Sequence, residues 1–521
     1  MKEKGVWSEV DVEEAWKVTG KAPMTVKWVD TNKGTPRVRS RLVARDFKRK
    51  GEKDQEDLFA ATPPLELKRM LMSKTASGAQ SGKSRKLLFV DVKKAHIIPI
   101  CDKDVYFEIP VEANPGDGKC GKLRHWLYGF RPAAQAWDSH YAANFVGEGF
   151  QRGRGASVVF WHADRDVACV VHGDDFTFSG FEEDLNWVEG LMKKWFDVKV
   201  RARLGPQKDD DKEITILGRT VRWEKWGIEY EADPKHREIV MGYFGFDEKS
   251  KGWTSNGKAD EAEKKIDDEP LLREEATAFR ALAARINFLA QDRPDIQFPA
   301  KEICRDMAVP TRNSWTRMKR VAKYLVSHNR VVFQYFWQDE GRPMMLFADS
   351  DWAGCRKTRK STSGGAIMIG GHCIKVWSHT QGPIALSSAE AEYYAMVEGV
   401  SRAKGLQAMA REIGLTGMDQ PITLSTDSSA AKSFASRRGL GRMRHVETRH
   451  LWLQEEVLAR RVVVAKVRGE GNPADIATKY LSTSAIETHL KRMNIKFAEE
   501  RPRRAAREIE EMECAAVKLM N

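Results

Sequence analysis

Four acidic residues in the C-terminal part of the sequence have the type and position needed to hold divalent cations. Asp349 ends the apolar run of "FADSDWAG", and Asp427 follows the apolar run of "PITLSTDSSAAKSF". Glu392 lies in a long helix-forming stretch, and Asp475 lies in "NPADIATK". Mg²⁺ and other hard cations prefer carboxylate oxygens as ligands. The four side chains would form a metal site if the fold brought them together, whereas one acid alone at a strand end is typical of a solvated turn.

A second acidic set lies in the N-terminal half. Asp91 ends the strand-like "LLFVDV", and Asp174 and Asp175 lie between the apolar runs of "DVACVVHGDDFTFSG". This last segment predicts a strand, a tight turn and a strand. Asp tolerates turn conformations, so the pair taken alone is interpreted as a structural turn.

Residues 341–480 alternate between predicted strands and helices, and each of the four C-terminal acids lies on a different element. The predicted order is strand, strand, strand, helix, strand, helix, helix, strand, helix. Asp349 is expected on the first strand and Glu392 on the first helix. Asp427 is expected at the end of the fourth strand, and Asp475 near the start of the last helix.

Composition limits the class of protein. The 521 residues are too many for one core and predict two to four domains. No apolar stretch approaches the roughly 18 residues of a membrane span, and "MKEKGVWSEV" lacks a secretory signal, so we expect a soluble intracellular chain. Seven scattered cysteines without a CxxC pair argue against a disulfide framework and a structural zinc site. The net charge of +13 is compatible with a polyanionic partner such as nucleic acid.

Changes in composition divide the chain into five segments. Residues 1–246 mix strands and helices, and a polar, charged stretch at 247–270 is expected to be a linker or insertion. Helical patterns occupy 271–340, the alternating elements occupy 341–485, and a charged, helix-prone tail follows at 486–521.

Several residues outside the acidic sets could also contact ligands. Trp28, Trp137 and Trp352 could stack on bases, but core packing is the preferred interpretation. His445 and His450 lie on a predicted helix at a spacing that does not place them on one face, so we assign them no metal.

The element order and acids of residues 341–485 resemble the ribonuclease H fold. The resemblance implies that two Mg²⁺ ions, or Mn²⁺ in their place, lie roughly 4 Å apart, activate a water and stabilise the leaving oxygen. Asp351 and Glu390 are interpreted as exposed neighbours of this site, the alternative for Asp351 being an outer-shell group. The catalytic and metal-binding residues implied are Asp349, Glu392, Asp427 and Asp475.

A wider resemblance, to the Ty1/copia-type retrotransposon Pol polyproteins, covers nearly the whole chain. It rests on "RSRLVARDF", "LFVDVKKAHIIPICDKDVYFEIP", "LYGFRPAAQAW", "DSDWAGCRKTRKSTSGG", "LSSAEAEYYA" and "NPADIATK", in that order. It implies that Asp91 and Asp174 are catalytic metal ligands of a polymerase palm, with two Mg²⁺, and that Asp175 is a weaker or indirect ligand. Arg41 would bind the incoming nucleotide through its guanidinium group, the alternative being a surface arginine.

The resemblance also implies an architecture and a function. The fold would be multi-domain α+β and α/β, with reverse transcriptase fingers and palm in residues 1–246, a thumb or connection in 271–340 and a ribonuclease H-like domain in 341–485. The chain would be an RNA-directed DNA polymerase with ribonuclease H activity, and the C-terminal part of a longer polyprotein or a fragmentary genomic copy. Its partners would be an RNA template, a DNA primer, an RNA–DNA hybrid, dNTPs and the capsid protein of the element. We expect it in cytoplasmic virus-like particles, with "RPRR" as a candidate nuclear address, and not at a membrane.

Three motifs depart from the family pattern around the palm. His96 stands where an aromatic residue usually gates the sugar, and Pro132–Ala134 stands in place of Gln-Ser-Pro. His172 and Gly173 replace the Tyr-Val that commonly precedes the Asp pair. These departures leave two alternatives open, a copy that retains only ribonuclease H activity and a non-enzymatic protein that binds nucleic acid.

Overall fold

The computed structural model of the chain describes residues 5–32, 38–47, 61–78, 84–113, 115–257, 269–441 and 443–498. Residues 258–268 of the predicted linker and residues 499–521 of the predicted tail, with "RPRR", lie outside these ranges.

The N-terminal part folds as an antiparallel sheet with helices packed on it. Its main sheet has the strand order β11-β4-β10-β9-β8-β7, and β1-β6-β5 and β2-β3 form smaller sheets. Strands β4, β9 and β10 are buried along nearly their whole length, because α3 packs on one face of the sheet and α2 on the other. The elements are β1 (Trp7–Asp11), α1 (Val12–Thr19), β2 (Val26–Asn32), β3 (Val38–Ala44), α2 (Leu65–Thr75), β4 (Lys86–Val92), β5 (Tyr106–Phe107), β6 (Lys119–Leu123), α3 (Ala133–Gly147), β7 (Gln151–Arg152), β8 (Val159–His162), β9 (Val167–His172), β10 (Asp175–Gly180), α4 (Glu182–Trp195) and β11 (Val198–Leu204).

The middle part combines a β-meander with a group of helices. Strands β12, β13 and β14 pair antiparallel in sequence order, and β15 adds to β14 after the helices. Thr311 caps the N-terminus of α8 through a hydrogen bond from the Ser314 backbone N–H. The elements are β12 (Glu213–Ile216), β13 (Arg219–Glu224), β14 (Gly227–Ala232), α5 (Lys235–Tyr243), α6 (Arg273–Ala290), α7 (Gln297–Arg305), α8 (Arg312–Ser327) and β15 (Arg330–Phe336).

The C-terminal part is a mixed sheet with the strand order β18-β17-β16-β19-β20. Strands β16, β17 and β18 are antiparallel, whereas β19 runs parallel to β16 and β20 parallel to β19. Ser387 caps the long helix α9, which packs against β16. The elements are β16 (Met344–Asp351), β17 (Thr362–Ile369), β18 (His372–Thr380), α9 (Ser388–Glu412), β19 (Ile422–Thr426), α10 (Ser429–Ala435), α11 (Trp452–Leu458), β20 (Val462–Lys466), α12 (Thr483–Arg492) and β21 (Ile495–Ala498).

The chain end differs from the predicted charged tail. Residues 486–498 form most of α12 and all of β21, and β21 pairs antiparallel with β15. Ile486, Leu490 and Ile495 are buried in the common core. The boundary predicted after residue 485 therefore falls inside a packed helix. Charged residues outnumber the few apolar residues that form the buried face of this helix, so the sequence pattern did not indicate it.

Helix α2 joins the N-terminal sheet to the C-terminal sheet through buried polar contacts. Arg69 donates to the carbonyl oxygens of Gln291 (2.6 Å) and Ile374 (3.1 Å) and pairs with Asp292 at 2.9 Å. Asp292 also accepts hydrogen bonds from Arg219 and Tyr230. Three parts of the chain that are distant in sequence therefore share one buried network.

Arg69→Met is expected to lower the free energy of unfolding by roughly 3 kcal/mol, because it leaves buried acceptors without their donor. The measurement is the midpoint of thermal unfolding of the purified chain. Arg45→Met, at an exposed arginine, is the matched control and should change the midpoint little. Equal midpoints for both variants would show that the network contributes no net stability.

Candidate active sites

Three of the four C-terminal acids converge at one edge of the mixed sheet. Asp349 lies near the end of β16, Asp427 directly follows β19, and Glu392 lies in the second turn of α9. Since β16 and β19 are parallel neighbours, their carboxyl ends meet at the same edge. One carboxylate oxygen from each of the three residues lies within 4.8 Å of the other two.

Burial and mutual repulsion raise the pKa values of Asp349 and Glu392. Burial, followed by the charges of Asp475 and Glu392, raises the pKa of Asp349 well above its usual range. Burial raises the pKa of Glu392 to about 7, with Asp427 and Asp475 adding to the increase and hydrogen bonds from Ser350 opposing it. The cluster is therefore destabilised as an array of free anions.

The donor set fits a hard divalent cation. All the groups are carboxylates, and Glu392 Oε2 is buried without a hydrogen-bond partner. The other oxygen, Oε1, accepts from the Ser350 backbone N–H (3.1 Å) and hydroxyl (3.0 Å), which fixes the side chain. Asp349 Oδ2 accepts from the Thr478 hydroxyl. These contacts leave oxygens free for a cation that would offset the repulsion.

Asp475 lies beside the cluster but not on the helix that the sequence predicted. It is in a 3₁₀ helix, Pro473–Ala477, and its Oδ2 pairs with Lys479 at 2.8 Å. Asn472 holds this segment by donating to the Ala348 carbonyl (2.9 Å), and Gly364 of β17 allows the close approach. A Cβ on Gly364 would lie 2.5 Å from Thr478 Cγ2. Packing against the sheet thus replaces the predicted α-helical start with a shorter turn.

Metal-free protein is expected to lose stability as pH rises from about 5 to 8. The folded state binds the Glu392 proton more tightly than the unfolded state, so stability falls as pH rises from the ordinary value of 4.5 to about 7. Glu392→Gln should flatten this dependence and stabilise the metal-free chain at the upper end of the range. Thermal midpoints measured against pH in EDTA test this, and equal slopes for parent and variant would contradict it.

The three N-terminal acids lie together on the main sheet. Asp91 and Asp175 are directly opposite each other on β4 and β10. Asp174 lies in the two-residue turn between β9 and β10, and its carbonyl accepts from the Val92 backbone N–H at 2.9 Å. Among the described residues, no set of three metal-ligating atoms from these aspartates meets the 4.8 Å spacing of the C-terminal cluster.

Asp175 differs from its two neighbours in its surroundings. It is 9% exposed, and burial, followed by the charge of Asp174, raises its pKa. Arg201 Nη1 lies 3.5 Å from Asp175 Oδ1, which has no hydrogen-bond partner. The carboxylate oxygens of Asp91, Asp174 and Asp175 are hard ligands of the kind that a divalent cation prefers.

Arg41 and His96 lie at the same cleft as Asp174. Burial lowers the pKa of His96, while the negative charge of Asp174 opposes this and Arg41 adds to it. The His96 ring packs on Tyr128, with ring centroids 5.2 Å apart. Arg41 is partly exposed, which is compatible with nucleotide binding and with a surface arginine alike.

Comparison with known proteins agrees with this arrangement. Residues 6–206 match the reverse transcriptase (RNA-dependent DNA polymerase) family. Over 90% of its length the chain is 24% identical to the retrovirus-related Pol polyprotein from transposon TNT 1-94 of Nicotiana tabacum, and 22% identical to that from transposon RE2 of Arabidopsis thaliana. The chain is therefore similar to retrovirus-related Pol polyproteins from Ty1/copia-type transposons.

The chain spans about a third of the length of these relatives, 35% and 32% respectively. A solved foamy viral protease-reverse transcriptase in complex with double-stranded DNA superposes with a TM-score of 0.50 at 12% identity, over 89% of this chain and 67% of that one. The fold is that of reverse transcriptase fingers and palm followed by a ribonuclease H-like domain, as the sequence predicted. None of the described helices is long and apolar enough to cross a bilayer.

Several expectations around the candidate sites were wrong. Glu390 is 1% exposed instead of exposed, because it accepts hydrogen bonds from the Leu386 N–H and the Tyr394 hydroxyl and pairs with His445. Turns, not the predicted helix, surround His445. Asp351 is partly buried and accepts from the Thr362 backbone N–H.

The tryptophans divide between core and surface. Trp137 is in the core as predicted, whereas Trp28 and Trp352 are 43% and 54% exposed. The indole N–H of each exposed ring has a partner, Glu112 for Trp28 and the Ala385 carbonyl for Trp352. An amphipathic ring can thus keep a polar contact while one face meets solvent.

Sequence reasoning missed groups that act on the acids. Lys479 pairs with Asp475, and Thr478 donates to Asp349. Both lie in "NPADIATK", so the motif itself was the available signal. Lys68 of α2 was also missed, because no sequence motif marks it. Burial, followed by the positive charge of Arg219, lowers the pKa of Lys68 to about 8.

Proposed function

We propose that this chain is an RNA-directed DNA polymerase with ribonuclease H activity, which copies RNA into DNA and hydrolyses the RNA strand of the hybrid. The observation that carries the proposal is the convergence of Asp349, Glu392 and Asp427 within 4.8 Å, in a chain that is similar to retrovirus-related Pol polyproteins. Such oxygen-rich clusters are what two-metal phosphoryl chemistry requires.

Divalent ions, when bound, would lower the pKa of an attacking hydroxyl or water and stabilise the charge on the leaving oxygen. The ions proposed are two Mg²⁺ per site, with Mn²⁺ as a substitute. The residues of the chain hold, orient and shield the reacting groups.

In polymerisation, a primer 3′-hydroxyl attacks the α-phosphate of a dNTP, and pyrophosphate leaves. Asp91 and Asp174 would hold the ions in the palm, and Arg41 would bind the triphosphate through its guanidinium group. Asp175, paired with Arg201, would contribute to the negative charge of the cleft instead of acting as a principal ligand.

In hydrolysis, water attacks the phosphorus of the RNA strand, and the ribose oxygen leaves. Asp349, Glu392 and Asp427 would hold the ions, with Asp475 beside them. Because the pKa of Glu392 is about 7 without ions, ion binding would displace a proton from this residue at neutral pH. Hydrogen bonds from Ser350 orient its carboxylate.

Nucleic acid is the proposed partner, as an RNA template, a DNA primer and their hybrid. The formal charge of +13 favours a polyanion, and the foamy viral protein of similar fold is described in complex with double-stranded DNA. We also propose, from the similarity to retrotransposon Pol polyproteins, that the chain binds the capsid protein of the element and is located in cytoplasmic particles.

A nuclease without polymerase activity is the second candidate. The 4.8 Å spacing is met by the ribonuclease H acids and not by the palm acids, which favours this candidate. The departures at His96 and His172 fall around the palm.

One purified sample assayed for two reactions with Mg²⁺ tests the proposal. Extension of oligo(dT) on poly(rA) reports the polymerase, and cleavage of an RNA–DNA hybrid reports the nuclease. Both activities are expected, and EDTA should abolish both. Cleavage without extension would establish the second candidate, and the absence of both reactions in folded protein would refute both enzymatic functions.

A further inference from the structure

Trp137 connects helix α3 to the turn that carries Asp174. Its side chain is 2% exposed and packs edge-on against Phe176 of β10 and Phe196, with ring centroids 6.3 and 5.1 Å away. Its indole Nε1–H donates to the carbonyl oxygen of Gly173 at 2.8 Å. A buried core residue thus makes one directed polar contact, and that contact is to the β9–β10 turn.

Gly173 and Asp174 are the two central residues of this turn. Gly173 has a φ of +65°, and a Cβ added to it would meet nothing within 4 Å. Asp174 is not among the described non-glycine residues with positive φ. This combination is typical of a type II′ turn, which differs from type I′ by a flip of the central peptide.

The central peptide of the turn is the one that contains the Gly173 carbonyl. Its orientation sets ψ of Gly173 and φ of Asp174, and therefore the direction in which the Asp174 side chain leaves the backbone. The indole N–H fixes this carbonyl on one side, and the Val92 N–H fixes the next carbonyl, that of Asp174. Flipping the central peptide would break the indole contact.

We propose that Trp137 is a positioning residue of the polymerase site, which holds the Asp174 carboxylate in its metal-binding direction through the Gly173 carbonyl. This inference rests on the proposed polymerase function, because it assigns Trp137 an effect on Asp174. Trp137 touches neither nucleotide nor primer in this role. Its loss should therefore act on ion binding and turnover and leave the affinity for primer and template unchanged.

Trp137→Phe is the first test, because phenylalanine keeps most of the ring packing and lacks the N–H donor. Trp7→Phe is the matched control, since Trp7 is also buried but its Nε1 has no hydrogen-bond partner. We expect the kcat of primer extension to fall about tenfold in Trp137→Phe, as for the loss of one directed hydrogen bond. Hybrid cleavage, primer–template Kd and the thermal midpoint should match those of Trp7→Phe.

Ion binding gives a readout that does not depend on activity. Calorimetric titration with Mn²⁺ is carried out in a chain that also carries Asp349→Asn and Asp427→Asn, so that the palm dominates the signal. Trp137→Phe should weaken the Mn²⁺ affinity of the palm several-fold, and Trp7→Phe should not. Replacing Trp137 by 3-benzothienylalanine, in which sulfur replaces the N–H at nearly constant volume, repeats the test if phenylalanine impairs folding.

The outcomes separate the two proposals. Unchanged kcat and unchanged Mn²⁺ affinity in both replacements would overturn the positioning role, whatever the parent does. A parent that fails to extend primers but binds Mn²⁺ in the palm, with affinity that depends on the indole N–H, would refute the polymerase function and support the positioning role. A parent that neither extends primers nor binds Mn²⁺ in the palm would refute both.

Discussion

Asp427→Asn is expected to abolish cleavage of an RNA–DNA hybrid while leaving the affinity for nucleic acid nearly unchanged. The asparagine keeps the shape of the side chain but removes one of three carboxylates whose oxygens lie within 4.8 Å of one another. Substitutions outside the ligand shell already reduce metal affinity or activity by about 10- to 100-fold. A direct ligand should therefore lower the rate by more than about 100-fold. The measurement is single-turnover cleavage of a labelled hybrid in Mg²⁺.

Asp419→Asn is the matched control in the same domain. Asp419 lies before β19, its side chain is 98% exposed, and it pairs with Arg411 on the surface. Both variants remove one negative charge, so a difference between them reports position and not net charge. Primer extension by Asp427→Asn should stay at the level of the parent. Equal hybrid cleavage by Asp427→Asn and the parent would show that Asp427 is not part of the site.

The order of elements in the ribonuclease H-like domain could be predicted because it is encoded locally. Apolar runs end at Asp349 and Asp427, and a serine cap precedes the helix that carries Glu392. Strand ends, caps and hairpin glycines are signals within a few residues, and a fold class follows from their order. The convergence of the acids then follows from the parallel pairing of β16 and β19.

Non-local contacts explain what the sequence did not reveal. Glu390 was expected at the surface because a charged residue is seldom buried without a partner, but its partner His445 is 55 positions away. The sheet β12-β13-β14-β15-β21 combines strands from three predicted segments, including the tail. No local pattern indicates that Ile495 will pair with Phe333.

The position of Asp475 shows a third limit. "NPADIATK" has a plausible helix start, since Pro473 suits a first turn and Asn472 caps it. The structure keeps the cap but ends the 3₁₀ helix at Ala477, because Asn472 and Thr478 are tied to β16. Local signals correctly placed Asp475 near the start of a helix. Tertiary packing determined that this helix is a short 3₁₀ helix.

Asp174→Asn is expected to stop primer extension and to leave hybrid cleavage intact. The variant keeps the turn, because the backbone contacts of Asp174 with Val92 do not involve its side chain. It removes one of the two carboxylates proposed to hold ions in the palm, so the rate should again fall by more than about 100-fold. Extension on poly(rA)/oligo(dT) and cleavage of a hybrid are measured on the same preparation.

Asp164→Asn is the control for this variant, since Asp164 is an exposed aspartate in the turn between β8 and β9. Loss of both activities in Asp174→Asn would indicate misfolding, because the palm and the nuclease share the buried network around Arg69. Extension at the parent rate would mean that Asp174 binds no essential ion. Loss of extension with hybrid cleavage intact would show that the two acidic sets are separate active sites. The palm acids would then fail while the C-terminal acids still function.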